Sequence, residues 1–109
     1  MTKLVRDKIP DIMRAKNQNP VTRIAEHDDE YFDFLRMKLL EEVNEFIESC
    51  KSTIKTDAEE ELADILEVID AICSLKKYNI ASVQNIKTNK GLKNGSFNKR
   101  VILISTTHD

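Results

Sequence analysis

The sequence predicts an all-α fold in which two long helices form an antiparallel hairpin within a bundle of four to five helices. The chain of 109 residues contains only two Gly and two Pro, which leaves little material for turns. Apolar residues recur at helical spacing in two long segments separated by a short break. The length corresponds to a single domain over residues 1–109.

Residues 8–16 are predicted to form a short first helix, with Asp7 as N-cap. Pro10 falls in its first turn, where the missing N–H is not needed. Residues 21–25 and 101–104 are rich in β-branched side chains. These two segments could pair as a minor two-stranded β element.

The second helix is expected to begin at Asp28 or Asp29 and to run to about residue 51. A break over residues 51–54 precedes the third helix, which a capping box of Thr56 and Glu59 starts and which ends near residue 78, with Asn79 as its C′ residue. A weaker fourth helix covers residues 81–93. The predicted apolar stripes are Phe32, Leu35, Leu39, Val43, Phe46 and Cys50 on the second helix, and Ala58, Leu62, Ile65, Leu66, Ile69, Ile72 and Cys73 on the third.

Two pairs of carboxylates stand three residues apart on these long helices: Glu42 with Glu45, and Glu61 with Asp64. Side chains with this spacing lie on one helix face. The short break forces the helices to run antiparallel. Both pairs lie on the same rotational side of their stripes, at about −60° and −120° for Glu42 and Glu45, by the helical repeat of about 100° per residue.

The heights along the hairpin also match. Glu45 should lie level with Glu61, and Glu42 level with Asp64, because both pairs are symmetric about residue 53. Four clustered carboxylates are costly unless a cation neutralises them, and hard divalent cations prefer oxygen ligands. Lys38 shares this face, one turn before Glu42. The alternative, a solvated acidic face, suits the remaining acidic residues of the two helices: Glu41, Glu48, Glu59, Glu60 and Glu67, of which Glu41 could support a metal ligand.

The acidic segments resemble those of MazG-like, all-α nucleotide pyrophosphohydrolases, which carry an E-x-x-E segment followed after a spacer by E-x-x-D. Several further segments are similar to the phosphoribosyl-ATP-pyrophosphohydrolase-like branch. They are K-L-V-R-D-K-I-P at residues 3–10, K-x-x-E-E-x-x-E at 38–45, E-E-L-A-D-I-L-E-V at 60–68 and G-S-F-x-x-R at 95–100. Ser96 stands where the family usually has a second Gly.

The resemblance implies an enzyme that hydrolyses a nucleoside triphosphate or related nucleotide between the α and β phosphates and releases pyrophosphate. It also implies Mg²⁺, with Mn²⁺ as a substitute, and dimers or dimers of dimers. The acidic set would then be both metal-binding and catalytic, with Glu45 as a candidate general base. The candidate phosphate contacts are Lys38, Lys8, Arg6 and Arg100.

Two other classes of function remain open. One is a non-catalytic regulatory or dimerisation module that keeps a structural metal site. The other is a plain helical dimerisation protein with a solvated acidic face. A test for nucleotide turnover distinguishes the enzyme from the module with a structural metal site. A test for metal dependence distinguishes both from the plain dimerisation protein.

Composition and charge limit the partners and the cellular location that we expect for the protein. A net charge of −2 gives no general footprint for a nucleic-acid polymer. No apolar run approaches membrane length and no secretory segment opens the chain, so we expect a cytoplasmic protein without a membrane partner.

The cysteines, the histidines and two aromatic residues are expected to have structural and not catalytic roles. Cys50 and Cys73 are expected in the core as reduced thiols. The histidines, His27 and His108, are expected at the surface. Tyr31 and Phe97 could stack on a base, but packing is the default.

The sequence also predicts a homodimer. Leu40 and Ile47 lie near +100° and +80° on the second helix, opposite the carboxylates, by the same helical count. A chain of this size offers little to cover such a wide apolar surface, so a second copy is expected to complete the core.

Overall fold

The structure, a computed structural model, describes residues 2–108. Within this range the chain forms four helices and no strand: α1 (Ile9–Ala15), α2 (Asp28–Ser49), α3 (Lys55–Lys76) and α4 (Ile80–Asn94). The all-α prediction is therefore confirmed. The chain divides into two compact units, one up to Lys77 and one from Tyr78 onwards.

Helix α1 begins one residue later than expected, because Lys8 and not Asp7 takes the N-cap position. Pro10 lies in the first turn, where no intrahelical N–H bond is required. After α1, residues 21–25 have no regular structure, so the predicted β element is wrong for the described residues. Arg23 instead docks this segment on the start of α2, donating two hydrogen bonds of 2.7 and 2.9 Å to Glu30.

Residues 101–104, the other half of the predicted β element, also have no regular structure. A strand needs a hydrogen-bonding partner for its backbone, and a β-branched composition does not supply one. The β-branched composition of these two segments favours an extended backbone, but the segments form no sheet within the described residues.

Helices α2 and α3 form the predicted antiparallel hairpin. Near the open end, the Lys76 Nζ atom lies 4.0 Å from the centroid of the Phe32 ring. Closer to the loop, carboxylates of Glu42 and Asp64 approach each other. Both pairs are nearly symmetric about the connecting loop, as two antiparallel helices require.

The start of α3 differs from the predicted capping box. Ile54 is the N-cap and makes no side-chain cap, and Thr56 already lies inside the first turn. Ser52 braces the loop instead: its hydroxyl accepts from the Ile54 N–H at 3.0 Å and donates to Asp57 Oδ2 at 2.7 Å. The predicted capping box of Thr56 and Glu59 is therefore wrong, and the side-chain hydrogen bonds before α3 come from Ser52.

The packed face of α2 agrees with its predicted stripe, and Leu35 is its most buried residue. The face of α3 is rotated from the prediction. Val68 and Cys73 are buried, whereas Leu62 and Leu66 are 44% and 62% exposed. Cys50 is exposed just beyond the end of α2, so its predicted place in the core is wrong. The rotation brings Glu61, which is half-buried, towards the helix interface.

The unit from Tyr78 onwards contains α4. Asn79 caps the start of this helix by accepting a 3.0 Å hydrogen bond from the Ser82 N–H, and does not serve as the predicted end of α3. Lys77 ends α3 in the left-handed conformation, with φ of 60°. Gly95 ends α4 with φ of 83°, a conformation that glycine adopts without steric cost. None of the four helices is apolar enough over a sufficient length to span a bilayer.

Candidate metal centre

Glu42 of α2 meets Glu61 and Asp64 of α3 on one side of the hairpin. Each of the three can place a carboxylate oxygen so that all three oxygens lie within 4.8 Å of one another. They come together because the spacing of three residues on α3 puts its two carboxylates on one face, opposite Glu42. Three oxygens at this separation are suited to a divalent cation that prefers carboxylate ligands.

Glu42 also belongs to a second group of three oxygens within the same limit, with Glu41 and Glu45 on its own helix. Glu42 is therefore the shared residue of the two groups, and it is only 5% exposed. Glu45 lies on the solvent side, and its carboxyl group also interacts with Glu61. All four predicted carboxylates are thus in one cluster, to which the structure adds Glu41.

Two oxygens of this cluster are buried without a hydrogen-bond partner among the described residues: Oε2 of Glu42 and Oε2 of Glu61. An ionised carboxylate can only accept hydrogen bonds, and a buried acceptor without a partner costs free energy. A cation or a proton would remove this cost. These oxygens therefore distinguish the cluster from an ordinary solvated acidic surface.

The carboxylates perturb one another's protonation. Burial first, and then the neighbouring carboxyl groups of Glu42 and Glu45, raise the pKa of Glu61 to about 7. Burial and the charge of Glu42 also raise the pKa of Glu45. Both shifts have the sign expected where negative charges are crowded in a partly desolvated site.

Lys38 supplies positive charge to the cluster. Its Nζ atom lies 3.2 Å from Glu42 Oε1 and 3.4 Å from Glu41 Oε2. Burial acts to lower the pKa of Lys38, but its interactions with Glu42 and Glu41 outweigh burial and raise it. The Lys3 Nζ atom lies 4.0 Å from Glu41 Oε1. The positive charge of Lys38 is thus held against the buried member of the cluster.

The N-terminal segment reaches the cluster through Arg6. Its Nη2 atom donates a 2.7 Å hydrogen bond to Asp64 Oδ1, across 58 residues of sequence. This bond raises the pKa of Arg6, with smaller contributions from the charges of Asp64, Glu67 and Glu42. Asp64 is therefore engaged by a cation of the chain itself.

A cleft of about 520 Å³ runs between the N-terminal segment, α1 and the hairpin. This volume is in the range of small-molecule sites, about 300–1,000 Å³. Three of the predicted phosphate contacts line it, together with two metal-site carboxylates: Arg6, Lys8, Lys38, Glu42 and Asp64. Tyr31 and Leu35 also line it, and Tyr31 is separated from Glu42 by about 16 Å along α2, from the helical rise per residue.

Other predicted residues lie elsewhere. Arg100 belongs to the unit from Tyr78 onwards, where it has φ of 58°, and its role stays a prediction. His27 is the exposed N-cap of α2, and His108 is exposed too, as expected. Cys73 is buried and Phe97 is almost fully exposed.

Two residues of this region are among those expected on a solvated acidic face, although Glu41 was also a candidate to support a metal ligand. Glu41 is a member of the second carboxylate group, and Glu67 lines the cleft. Glu67 could have been found from its spacing, since it follows Asp64 by three residues and so shares its face. The contact between Arg6 and Asp64 left no such signal, because no local spacing relates the two residues.

Comparison with known proteins adds one relative. A stretch of 45 residues is 51% identical to part of an uncharacterized protein of Mycolicibacterium smegmatis. The match covers 41% of this chain and 45% of the relative, so the chain spans less than half of that protein's length. No family model and no solved structure matches the chain.

Proposed function

We propose that this protein is a cytoplasmic, magnesium-dependent nucleotide pyrophosphohydrolase that cleaves its substrate between the α and β phosphates. The observation that carries the proposal is the pair of buried, unpartnered carboxylate oxygens of Glu42 and Glu61. They belong to a cluster of five acidic side chains beside a cleft with basic groups in its wall. That combination suits a metal ion and a phosphorylated ligand bound side by side.

The donor set fits Mg²⁺ in kind, because the ligands are all carboxylate oxygens with no nitrogen or sulfur donor among them. Mn²⁺ accepts the same donors. Glu42, Glu61, Asp64 and Glu45 would hold the metal. When bound, the metal supplies charge neutralisation for the phosphates and a polarised water.

The side chains of the protein then bind, orient and accept a proton. Lys38, Arg6 and Lys8 line the cleft and carry the positive charge that phosphate oxygens require. Glu45 is the proposed general base, acting on the attacking water. It is the most exposed of the four carboxylates, so it can pass the proton on to solvent.

The far part of the cleft suits the base of the nucleotide. Tyr31 and Leu35 precede Glu42 on α2 by about three and two turns and provide an aromatic and apolar lining there, and Ile12 of α1 also lines the cleft. Nucleobases stack on aromatic side chains, and apolar walls exclude water from them. This division of the cleft favours a nucleotide over a simple inorganic phosphate.

The proposal includes assembly into a homodimer or a dimer of dimers. Leu40 and Ile47 of α2 are 66% and 57% exposed, and Leu62, Leu66 and Ile69 of α3 are also exposed. By the helical count, both sets lie on the same rotational side of their packed faces, so they converge on the side of the hairpin away from the carboxylates. Two such faces packed together would make a four-helix core and leave each acidic site open.

A non-catalytic module with a structural metal site is the alternative. It accounts for the carboxylates but not for the cleft beside them, whose wall includes Lys8, Lys38 and Tyr31. The cleft therefore favours the enzyme.

The deciding experiment is a panel of nucleoside triphosphates incubated with the protein and magnesium. We expect a nucleoside monophosphate and pyrophosphate, with one atom of ¹⁸O from labelled water in the products. Glu42→Gln should abolish turnover, while Glu60→Gln, an exposed change on α3, should not. Orthophosphate released from the γ position would assign a different reaction, and no turnover of any nucleotide would favour the structural metal module.

A further inference from the structure

We propose that Arg6 couples metal binding to phosphate binding. It neutralises Asp64 in the metal-free protein and transfers its hydrogen bond to a phosphate once a metal binds Asp64. The inference rests on the proposed function, which it deepens by giving Arg6, a proposed phosphate contact, a second role as competitor of the metal for Asp64. The observation behind it is the 2.7 Å hydrogen bond from Arg6 Nη2 to Asp64 Oδ1 inside the cleft wall.

Asp64 has one carboxylate for two cations. It belongs to the group of three oxygens with Glu42 and Glu61, and it is also the partner of Arg6. A metal ion at this group therefore competes with a positive charge that is already in place. Removing the Arg6 charge should make metal binding tighter, although Arg6 is not itself a ligand.

The cost of releasing Arg6 is small. Its side chain is 55% exposed, and solvent-exposed ion pairs contribute little to stability. The competition should therefore weaken metal binding by about two- to fivefold, the range that corresponds to such pairs. A buried pair would have locked Asp64, whereas this one can be exchanged.

A released Arg6 does not have to leave the cleft. The cleft wall includes Arg6 together with Lys8 and Lys38, and arginine forms strong charge-assisted hydrogen bonds with phosphate oxygens. The same side chain thus opposes the metal when the cleft holds no phosphate and favours the ligand when the metal is present. Two ligands that share such a group bind cooperatively, and the coupling is reciprocal.

The test measures two dissociation constants by calorimetry, with no turnover involved. One is for magnesium alone; the other is for magnesium methylenediphosphonate, a non-hydrolysable pyrophosphate analogue, in saturating magnesium. Arg6→Ala should tighten magnesium binding two- to fivefold and weaken diphosphonate binding about tenfold, as expected for a charged hydrogen bond. Arg6→Lys should keep magnesium affinity near that of the wild type, because it retains the charge.

Arg14→Ala is the matched control. Arg14 also pairs with an aspartate, Asp11, at 2.9 Å, and its side chain is 54% exposed, but it does not line the cleft. It should change neither constant. The opposite signs of the two Arg6→Ala effects also exclude simple misfolding, which would weaken both ligands.

Magnesium binding that Arg6→Ala leaves unchanged or weakens overturns the role of Arg6 and leaves the pyrophosphohydrolase proposal intact. Unchanged diphosphonate affinity overturns it equally. If both Arg6→Ala effects appear but the wild type turns over no nucleotide, the proposed function fails and the coupling stands. A wild type that binds no magnesium overturns both.

Discussion

Lys38 and Glu42, one turn apart on α2, form an ion pair of 3.2 Å whose carboxylate is almost completely buried. The second oxygen of that carboxylate has no partner within the described residues. Lys38 therefore compensates only part of the negative charge of the carboxylates around Glu42. The balance of charge at this point determines how the protein should respond to mutation, pH and metal.

Removing the lysine should destabilise the metal-free protein. In Lys38→Ala, Glu42 stays buried with its ion-pair partner lost, so we expect the free energy of unfolding to fall by about 1–3 kcal/mol, the cost of an unpaired buried polar group. Chemical denaturation in the presence of a chelator measures this. Lys51→Ala is the control, since Lys51 pairs with Glu48 at the exposed surface and its loss should cost almost nothing. Equal effects of the two changes would contradict the assigned role of Lys38.

Stability of the metal-free protein should decrease as pH rises from about 4.5 to about 7. The pKa of Glu61 is raised from 4.5 to about 7 in the folded state, chiefly by burial. Between these values the folded protein holds a proton that the unfolded chain has lost, so raising the pH favours unfolding. Thermal melts across this range in a chelating buffer measure the effect.

Glu61→Gln should remove most of this pH dependence, because the amide has no proton to lose. Glu48→Gln, on the exposed surface of α2, should retain it. Saturating magnesium should flatten the profile in the wild type, since a bound cation favours the ionised carboxylate. A profile that Glu61→Gln does not alter would assign the titration to another group.

Magnesium affinity should fall most when the removed carboxylate belongs to both groups of oxygens. Glu42→Ala should cause the largest loss, at least tenfold, because Glu42 belongs to both groups of oxygens, and Asp64→Ala should also weaken binding. Calorimetric titration measures both, with Glu60→Ala as the exposed control. Unchanged affinity in both variants would refute the site.

Removing a carboxylate should weaken magnesium binding but should not destabilise the metal-free protein. Without metal, Glu61→Gln should leave the free energy of unfolding unchanged or raise it, because it relieves repulsion with Glu42 and Glu45. The same variant should gain less stability from magnesium than the wild type, in line with its weaker binding. Denaturation with chelator and with magnesium gives both quantities; a marked loss of metal-free stability would show that Glu61 has a favourable partner.

Leu40→Glu should disrupt the proposed dimer, because it places a charge in the centre of the exposed apolar face of the hairpin. Light scattering on purified protein should show a dimer or tetramer for the wild type and a smaller species for the variant. Val21→Glu is the control: Val21 is also apolar and is more exposed, but it lies in an irregular segment. A wild type that is monomeric at micromolar concentration would contradict the assembly.

The spacing of residues along the sequence was sufficient to predict the two long helices and the acidic cluster. Apolar repeats predicted α2 and α3, and the short break between them required an antiparallel hairpin. Pairs of carboxylates three residues apart then had to lie on one face, and symmetry about the loop brought Glu42 to Asp64. These inferences succeed because helical geometry is regular, so that sequence distance converts directly into position.

Packing and long-range contacts decided the rest. The centre of the packed face of α3 moved from Leu62 towards Val68, since neighbouring apolar positions compete and only the fit against α2 selects among them. Residues 21–25 formed no strand, because β structure needs a partner that local composition cannot supply. The contact of Arg6 with Asp64 joins residues 58 positions apart, and no periodicity relates them. The sequence therefore determined which carboxylates could meet and that Lys38 shares their face, whereas only the folded chain brought Arg6 and the cleft to them.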